Sequence, residues 1–471
     1  MAQIAKFDLV RTRIAPTPSG KLHIGTAHTA LFNYLFAKYS GGKFILRIDD
    51  TDPKRYKKEF EVDILQSLKW LGLDWDEGPD TGGPYAPYRQ SQRMSHYWPY
   101  IEKLLKEDKA YYCYCSQTEL EAERKKMQEE KKAPKYSGKC RNLSQKQAEE
   151  YKKEGRKPAV RLKVKNKEVS FVDPARGKIT VNAGNFGDFI IARSDKSALL
   201  IVASTIDDIE MKITHTIRGE DYINFVPRQI LLFEALGVKP PIFAHLPFVY
   251  GPDGSKLSKR HGAVAISDYR AMGFLPEAIF NYLTLLGWSA GGDREIITKD
   301  ETIKLFTLEK VNTNPHRFNM TKFEWINGEY IRKSQNSNLK TQIFNFYKKE
   351  YPEKLVEKTI PLIKERMKKL SDYLPLCEFF FKKPQEHDID LSSKKVLLKK
   401  MQDSLSTMSD WKAEKIGETM QDLAKKEGVK TGEFFMTLRV AITGKKISPP
   451  LNESMEILGK EECLDRLKGL L

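Results

Sequence analysis

"PTPSGKLHIGTAH", residues 16–28, decides how this chain of 471 residues is read. Before it, Phe7 to Ala15 alternates and is rich in branched side chains, which predicts a strand. After it, Thr26 to Tyr39 carries apolar residues at helical spacing and stops at Gly41 and Gly42. Phe44 to Ile48 reads as a second strand. Strand, glycine-bearing loop, helix, strand is the opening of a parallel, doubly wound sheet of Rossmann type.

Three readings of the loop compete. A metal site on His23 and His28 is disfavoured, because a spacing of five does not stack two side chains on one helix face and no acidic cluster accompanies them. A plain turn is the second reading. The third is a phosphate site. Gly20 and Gly25 let backbone approach a ligand, the helix beginning near Thr26 offers free N–H groups and a partial positive charge, and His23 can donate to a phosphate oxygen. No Gly-Lys-Ser/Thr closes the loop, so it is not a Walker loop.

A second stretch, "GPDGSKLSKRHG" at residues 251–262, gathers Lys256, Lys259 and Arg260 around serines in a glycine-flanked loop. Alone it reads as a solvated basic loop. Beside the first stretch it reads as a mobile cationic loop facing a nucleotide, where a lysine stabilises charge developing on phosphate.

Between and beyond these stretches, helical patterns run from Glu59 to Leu71 and from Met94 to Glu107. Residues Tyr111 to Asn142 hold three of the five cysteines and the run RKKMQEEKKAPK, the mark of an inserted, exposed subdomain. Alternating segments such as Ala159 to Val164 continue to about residue 193. Apolar runs at Leu199–Val202 and Lys212–Arg218 predict strands, followed by a helix at Val226–Leu236 and a strand at Ile242–Tyr250. From Leu275 onward the pattern is almost wholly helical. Lys and Arg total 80 against 63 Asp and Glu, a net charge of +17, which suggests a polyanionic partner, most often nucleic acid, over a generic basic surface. Five cysteines in so long a chain make no disulfide framework. No run approaches the ~18 apolar residues of a membrane span, and MAQIAKFDLVRTRIAP lacks a signal-peptide core. The expectation is a cytoplasmic protein with no membrane partner.

The segment "HIGT" (residues 23–26) resembles the "HIGH" signature, and "KLSKR" (256–260) the "KMSKS" signature, of class I aminoacyl-tRNA synthetases. The flanking text is similar to glutamyl-tRNA synthetases of the bacterial and organellar type: RIAPTPSGKLHIGTAHTALFNYLFA, GGKFILRIDDTD, LKWLGLDWDEGP, YRQSQR, THTIRGEDYI, AHLPFVYGPDGSKLSKRHG, GFLPEAIFNYLTLLGWS and WINGEYIR. The likeness runs through LRVAITG near the end of the chain. Thr26 stands at the fourth place of "HIGH", where relatives vary.

The resemblance implies a Rossmann-type catalytic domain in two halves, 1–94 and 194–255, split by an acceptor-stem-binding insertion at 95–193. A stem-contact subdomain at 256–330 and a helical anticodon-binding domain at 331–471 complete the chain. It implies L-glutamate, ATP with Mg²⁺, and tRNA(Glu) as the molecules handled by a monomer. His23, Lys256 and Lys259 become the catalytic cations, with Lys259 foremost. Thr17, His23, Gly25, Lys256, Ser258 and Lys259 become the ATP site. Arg13, Ala15, Thr17, Asp49, Leu200, Ser204 and Arg218 become the glutamate site. Asp49 suits the ammonium, and Arg13 and Arg218 suit carboxylates, which would disfavour glutamine.

One stretch departs from the family. SDKSALLIVASTIDD, residues 194–208, puts Leu200 where a substrate-contacting Tyr is expected, Ser204 near an expected Asn, and Ala198 in place of Pro. In the insertion, Cys113, Cys115 and Cys140 resemble three ligands of the family's zinc site. The fourth place falls on Asn142, a poor ligand, so Tyr136, a water, or no metal at all remain open. Arg55 and the lysine-rich run are candidates for the acceptor stem, and Arg366 for the third anticodon base.

Rival readings are a non-discriminating enzyme that also charges tRNA(Gln), a catalytically impaired RNA-binding paralogue, and a small-molecule adenylyltransferase. The last would not need two further basic domains. A short glutamyl-queuosine relative would lack residues 331–471.

Overall fold

Every residue of the first strand, β1 (Arg11–Ile14), is buried, as expected of a central strand in a parallel sheet covered on both faces. In the computed structural model, which describes residues 8–52, 54–258, 260 and 262–471, β1 leads through a loop into α1 (Ile24–Tyr39) and then into β2 (Lys43–Leu46). The β1–β2 pair is parallel in the register Arg11–Lys43 to Ile14–Leu46. Gly42 is needed at the entrance to β2. A Cβ there would stand 2.2 Å from the Val10 carbonyl oxygen, which accepts from the Lys43 N–H.

The chain then runs through α2 (Lys58–Trp70) and α3 (Met94–Lys106) into the insertion. There β3 (Ala110–Cys113) is followed by α4 (Gln117–Glu129) and α5 (Gln145–Lys153), then β4 (Ala159–Leu162), β5 (Glu168–Asp173), β6 (Gly177–Asn182) and β7 (Phe189–Ala192). β3, β4 and β7 form an antiparallel three-stranded sheet, and β5 and β6 a hairpin. Neither α4 nor α5 buries a residue. Both start at a serine whose side chain accepts from the third helical N–H while that residue's side chain accepts from the serine N–H, the reciprocal cap of an exposed helix.

The chain returns through α6 (Leu200–Glu210) to β8 (His215–Gly219), α7 (Val226–Leu236) and β9 (Ile242–Leu246). The sheet order is β2-β1-β8-β9, all parallel. The connections leave β1 and β8 in opposite directions, so a crevice opens at the carboxyl ends of these two strands, where such sheets bind ligands. A short parallel pair joins β10 (Val249–Tyr250) to β11 (His316–Arg317).

One expectation is overturned. Leu199–Val202 is no strand: Leu199 caps α6 and the other three residues begin it. Four apolar residues fit a strand or a buried helix equally well, and only the longer run through residue 210 separates the two. Val202, Ile206 and the acidic pair Asp207 and Asp208 are all buried on α6. The predicted strand at Ile242–Tyr250 divides into β9 and β10.

The described residues fall into two compact units, one of residues up to Asp268 with Phe280–Asn319, the other of Tyr269–Ile279 with Met320–Leu471. The first holds the sheets and a core in which α3, α6 and α7 meet β4, β7 and β9 through Ile101, Val202, Ile206, Leu232 and Phe243. The second is helical as expected. Its last helices, among them Lys395–Ser406, Ala413–Lys426 and Thr431–Thr443, pack around Leu398, Met401, Met420, Phe434 and Leu438. No helix among the described residues is long and apolar enough to cross a membrane.

Candidate active site

The crevice between β1 and β8 is a cleft of about 770 Å³. Its walls include Arg13, Ala15, Thr17, His23, Gly25, Asp49, Leu200, Ser204, Arg218 and Lys256, so ten of the residues expected from sequence converge on one place. Leu257 also lines it, whereas Ser258 does not. Lys259 lies outside the described residues.

His23 is the N-cap of α1. Its Nδ1 accepts from the Gly25 N–H at 3.1 Å, so the neutral ring carries its proton on Nε2, free to donate. Burial, with Lys256 adding to it, lowers the pKa of His23 and keeps the ring neutral. The helix end is less open than the sequence suggests. The Ile24 N–H donates to the Val264 carbonyl at 2.8 Å and that of Gly25 to His23. The Thr26 N–H is left as the open donor of the first turn among the described residues. Across the cleft, Lys256 is exposed, its Nζ 4.4 Å from the centre of the Phe248 ring. Its loop is shaped by Gly254 at φ +77° and by the Gly251 N–H donating to the Ser255 carbonyl at 2.7 Å.

The floor is a buried ionic network that sequence did not reveal. Arg47 is wholly buried and pairs with Asp49 at 2.7 Å, Asp208 at 2.9 Å and Asp207 at 3.6 Å. Arg13, expected to hold a carboxylate of the ligand, grips Asp208 through Nε and Nη2, both at 3.2 Å. Asp207 also accepts from Arg93 at 2.6 Å and Gln90 at 2.9 Å. Burial outweighs the Arg47 partner at Asp49 and lifts its carboxyl to about 6. The signal was present in "LRIDD" and "TIDD", but a buried arginine cannot be told from a surface one by spacing.

Arg218 differs. Its Nη2 donates to the neutral Gln229 Oε1, its Nε has no hydrogen-bond partner, and its guanidinium lies 4.9 Å from the Tyr222 ring centre and 5.6 Å from that of Phe243. Among the described residues it has no carboxylate partner. Leu200, 46% exposed, and Ser204 occupy successive turns of α6 on the cleft wall. Tyr222 and Phe225, with ring centres 5.9 Å apart, form an apolar lip that sequence reasoning missed.

Away from the cleft, Cys113, Cys115 and Cys140 bring their sulfurs within 4.8 Å of one another. The Tyr136 hydroxyl lies 3.5 Å from Cys113 Sγ and 3.4 Å from Cys115 Sγ, while Asn142 is exposed. Hydrogen bonds from Cys115 and Cys140 lower the pKa of the Cys113 thiol, favouring a thiolate. Three thiols converge there, three of the four ligands a structural zinc site takes, while the Tyr136 hydroxyl beside them already accepts from the Cys140 N–H at 2.8 Å. Arg55 is exposed, 3.5 Å from Ser19 in the loop before α1. In the helical unit, Arg366 donates to the Ser448 carbonyl at 2.7 Å, and Arg439 donates to the same carbonyl at 3.3 Å. Two cations share one acceptor there, and Arg439 was not anticipated.

Residues 9–325 match the family described as tRNA synthetases class I (E and Q), catalytic domain, and residues 333–471 match the family described as anticodon binding domain. A glutamate–tRNA ligase of Caldicellulosiruptor saccharolyticus is 43% identical over 473 residues, covering 98% of both chains. One of Carboxydothermus hydrogenoformans is 42% identical, covering 98% of this chain and all of that one. The crystal structure of a glutamate tRNA ligase from Elizabethkingia meningosepticum, in complex with its amino acid, superposes with a TM-score of 0.88 at 35% identity, over 98% of this chain and 99% of that one.

Proposed function

The chain belongs to the class I tRNA synthetases of the E and Q group, and from that premise we propose how its cleft attaches L-glutamate to tRNA(Glu). It is a glutamate–tRNA ligase, working in two steps: glutamyl-adenylate forms with release of pyrophosphate, then the tRNA 3′ end takes the glutamyl group. Neither charging of tRNA(Gln) nor an impaired paralogue draws support from these relatives.

In the first step a glutamate carboxylate oxygen attacks the α-phosphorus of ATP in line with the departing pyrophosphate. Two anions meet, so the demand is for positive charge in place rather than for a strong base. His23 Nε2–H and the Thr26 N–H hold phosphate oxygens from one side. Lys256, with Lys259, closes over the triphosphate from the other. Thr17 and Gly25 complete the nucleotide site, and Ser258, which does not line the cleft, has no direct part in it. The substrate ammonium is met by Asp49, once ionised, and the side-chain carboxylate by Arg218. Arg13, bound to Asp208, acts by holding the floor and its potential rather than as a second open fork. Ala15, Leu200 and Ser204 bound the pocket, and the hydroxyl and amide lost at the last two positions leave recognition resting more heavily on Arg218.

Mg²⁺, when bound with ATP, neutralises phosphate charge. Among the described residues the cysteine cluster is the one grouping of three or more Cys, His, Asp or Glu side chains with metal-holding spacing. The described residues therefore form no cage for Mg²⁺, which suits an ion carried on phosphates. Cys113, Cys115, Cys140 and Tyr136 would hold zinc, which supplies a structural tie at the base of the insertion. Arg55 and the α4 lysines meet the acceptor stem, and Arg366 the anticodon. The setting we assign is a cytoplasmic monomer.

The observation that carries this reading is the pairing of the α1 amino end with Lys256 across a cleft containing Arg218. Glutamate-dependent exchange of pyrophosphate into ATP, with and without tRNA, tests it. Exchange with glutamate and not glutamine supports it. No exchange under either condition overturns it.

A further inference from the structure

We propose that Gln229 is a specificity-determining positioning residue: a deliberately neutral acceptor that holds Arg218 in place without satisfying its charge, so that the substrate's carboxylate is the counter-ion. The inference rests on the glutamate-ligase reading of the cleft and adds to it the group that sets how Arg218 discriminates.

Three buried arginines border the cleft, and they are treated differently. Arg47 has three aspartates within 3.6 Å. Arg13 has a two-point grip on Asp208. Arg218, also buried at 9% exposed, is given an amide. Gln229 sits on α7 with 2% of its surface exposed, and its Oε1 accepts from Arg218 Nη2. The guanidinium carbon lies 4.9 Å from the Tyr222 ring centre and 5.6 Å from that of Phe243, and Nε is buried with no hydrogen-bond partner. An unpaired buried donor is costly, and a buried cation without its anion more so. A structure that tolerates both within a ligand cleft keeps them for a ligand. Burial, aided by the Arg13 cation and opposed at longer range by Asp208 and Asp221, draws the Arg218 pKa down to about 9, in keeping with a guanidinium that has no carboxylate in direct contact.

The choice of amide over carboxylate has a direct consequence. A glutamate at 229 would hold Arg218 by the same hydrogen bond but would also neutralise it. A ligand amide would then be rejected less strongly and a ligand carboxylate would compete with an internal one. A glutamine cannot do this. It fixes the fork and leaves the charge.

The test is steady-state aminoacylation by the full-length Q229E and Q229M variants, with Arg218→Ala as reference. Q229E is expected to raise KM for glutamate at least about tenfold, the loss of one charge-assisted contact. It should also narrow the preference for glutamate over glutamine, with KM for ATP unchanged. Q229M, which loses the hold but adds no charge, is expected to raise KM for glutamate less and to keep the preference. If Q229E leaves both KM and preference as in the wild type, or if the two variants behave alike, the proposal is overturned. Should the buried carboxylate prevent folding, Q229M decides alone: an unchanged KM for glutamate overturns the hold on Arg218. Wild-type protein that fails to charge glutamate overturns the function reading itself, which is a separate and distinguishable result.

Discussion

Arg47, wholly buried, places Nη1 2.9 Å from Asp208, and this contact joins the segment just past β2 to the helix that precedes the re-entry into the sheet after the insertion. Asp208 is also the partner of Arg13, so one carboxylate serves two arginines. Removing one side of such a buried pair strands charge in the interior. Arg47→Ala is expected to cost about 3–5 kcal/mol of stability, read as a fall in the urea midpoint of the catalytic unit. A midpoint unchanged from wild type would show that the network is solvated.

The raised Asp49 carboxyl sets a pH dependence. The ammonium of glutamate is held by the ionised form, and burial keeps the group protonated up to about pH 6. As pH falls below about 6, kcat/KM for glutamate should drop roughly tenfold per unit. Asp49→Asn should lower kcat/KM at neutral pH and remove that limb. A flat wild-type profile down to pH 5 would exclude Asp49 from the ammonium site.

Lys259→Ala should abolish nearly all adenylate formation while tRNA binding persists, because the lysine is asked to stabilise charge only as the α-phosphorus is attacked. Near-normal pyrophosphate exchange by this variant would mean that the loop does not face the nucleotide.

The cysteine cluster makes a metal measurement decisive. Protein grown with zinc should carry about one ion per chain, and Cys140→Ser should lose it, while Tyr136→Phe should bind it more weakly. Metal-free protein from zinc-replete cells would leave three reduced thiols as the correct description.

Arg366→Ala should weaken tRNA binding. If the guanidinium meets a base, the salt slope of binding stays as in wild type and the preference for tRNA(Glu) over tRNA(Gln) narrows. A slope reduced by about one with unchanged preference would make it a phosphate contact.

Much of the fold and of the cleft is legible in the chain itself, and the reasons are physical. The loop at 16–28 announces itself because glycine, proline and a helix of apolar periodicity are local signals, and β1, α1 and β2 lie where they imply. The phosphate-site residues can be found because two motifs more than 200 residues apart share one chemistry, and the remaining cleft residues only through the family resemblance that those motifs and their flanking text carry. What stays hidden is relational. That Arg13 is neutralised by Asp208 and Arg218 is not depends on side chains brought together by the fold, not on neighbours in sequence. The start of α6 at Leu200 passes for a strand because four apolar residues carry no period. The α1 amino end has fewer open N–H groups than its sequence implies because Val264, 240 residues from Ile24, closes one of them.

The central claim is that a triphosphate lies between the first turn of α1 and the loop bearing Lys256. A crystal structure with a non-hydrolysable ATP analogue tests it most directly. Phosphate oxygens within hydrogen-bonding distance of His23 Nε2 and Lys256 Nζ are the predicted result. A nucleotide bound elsewhere, with this cleft empty, would contradict the account.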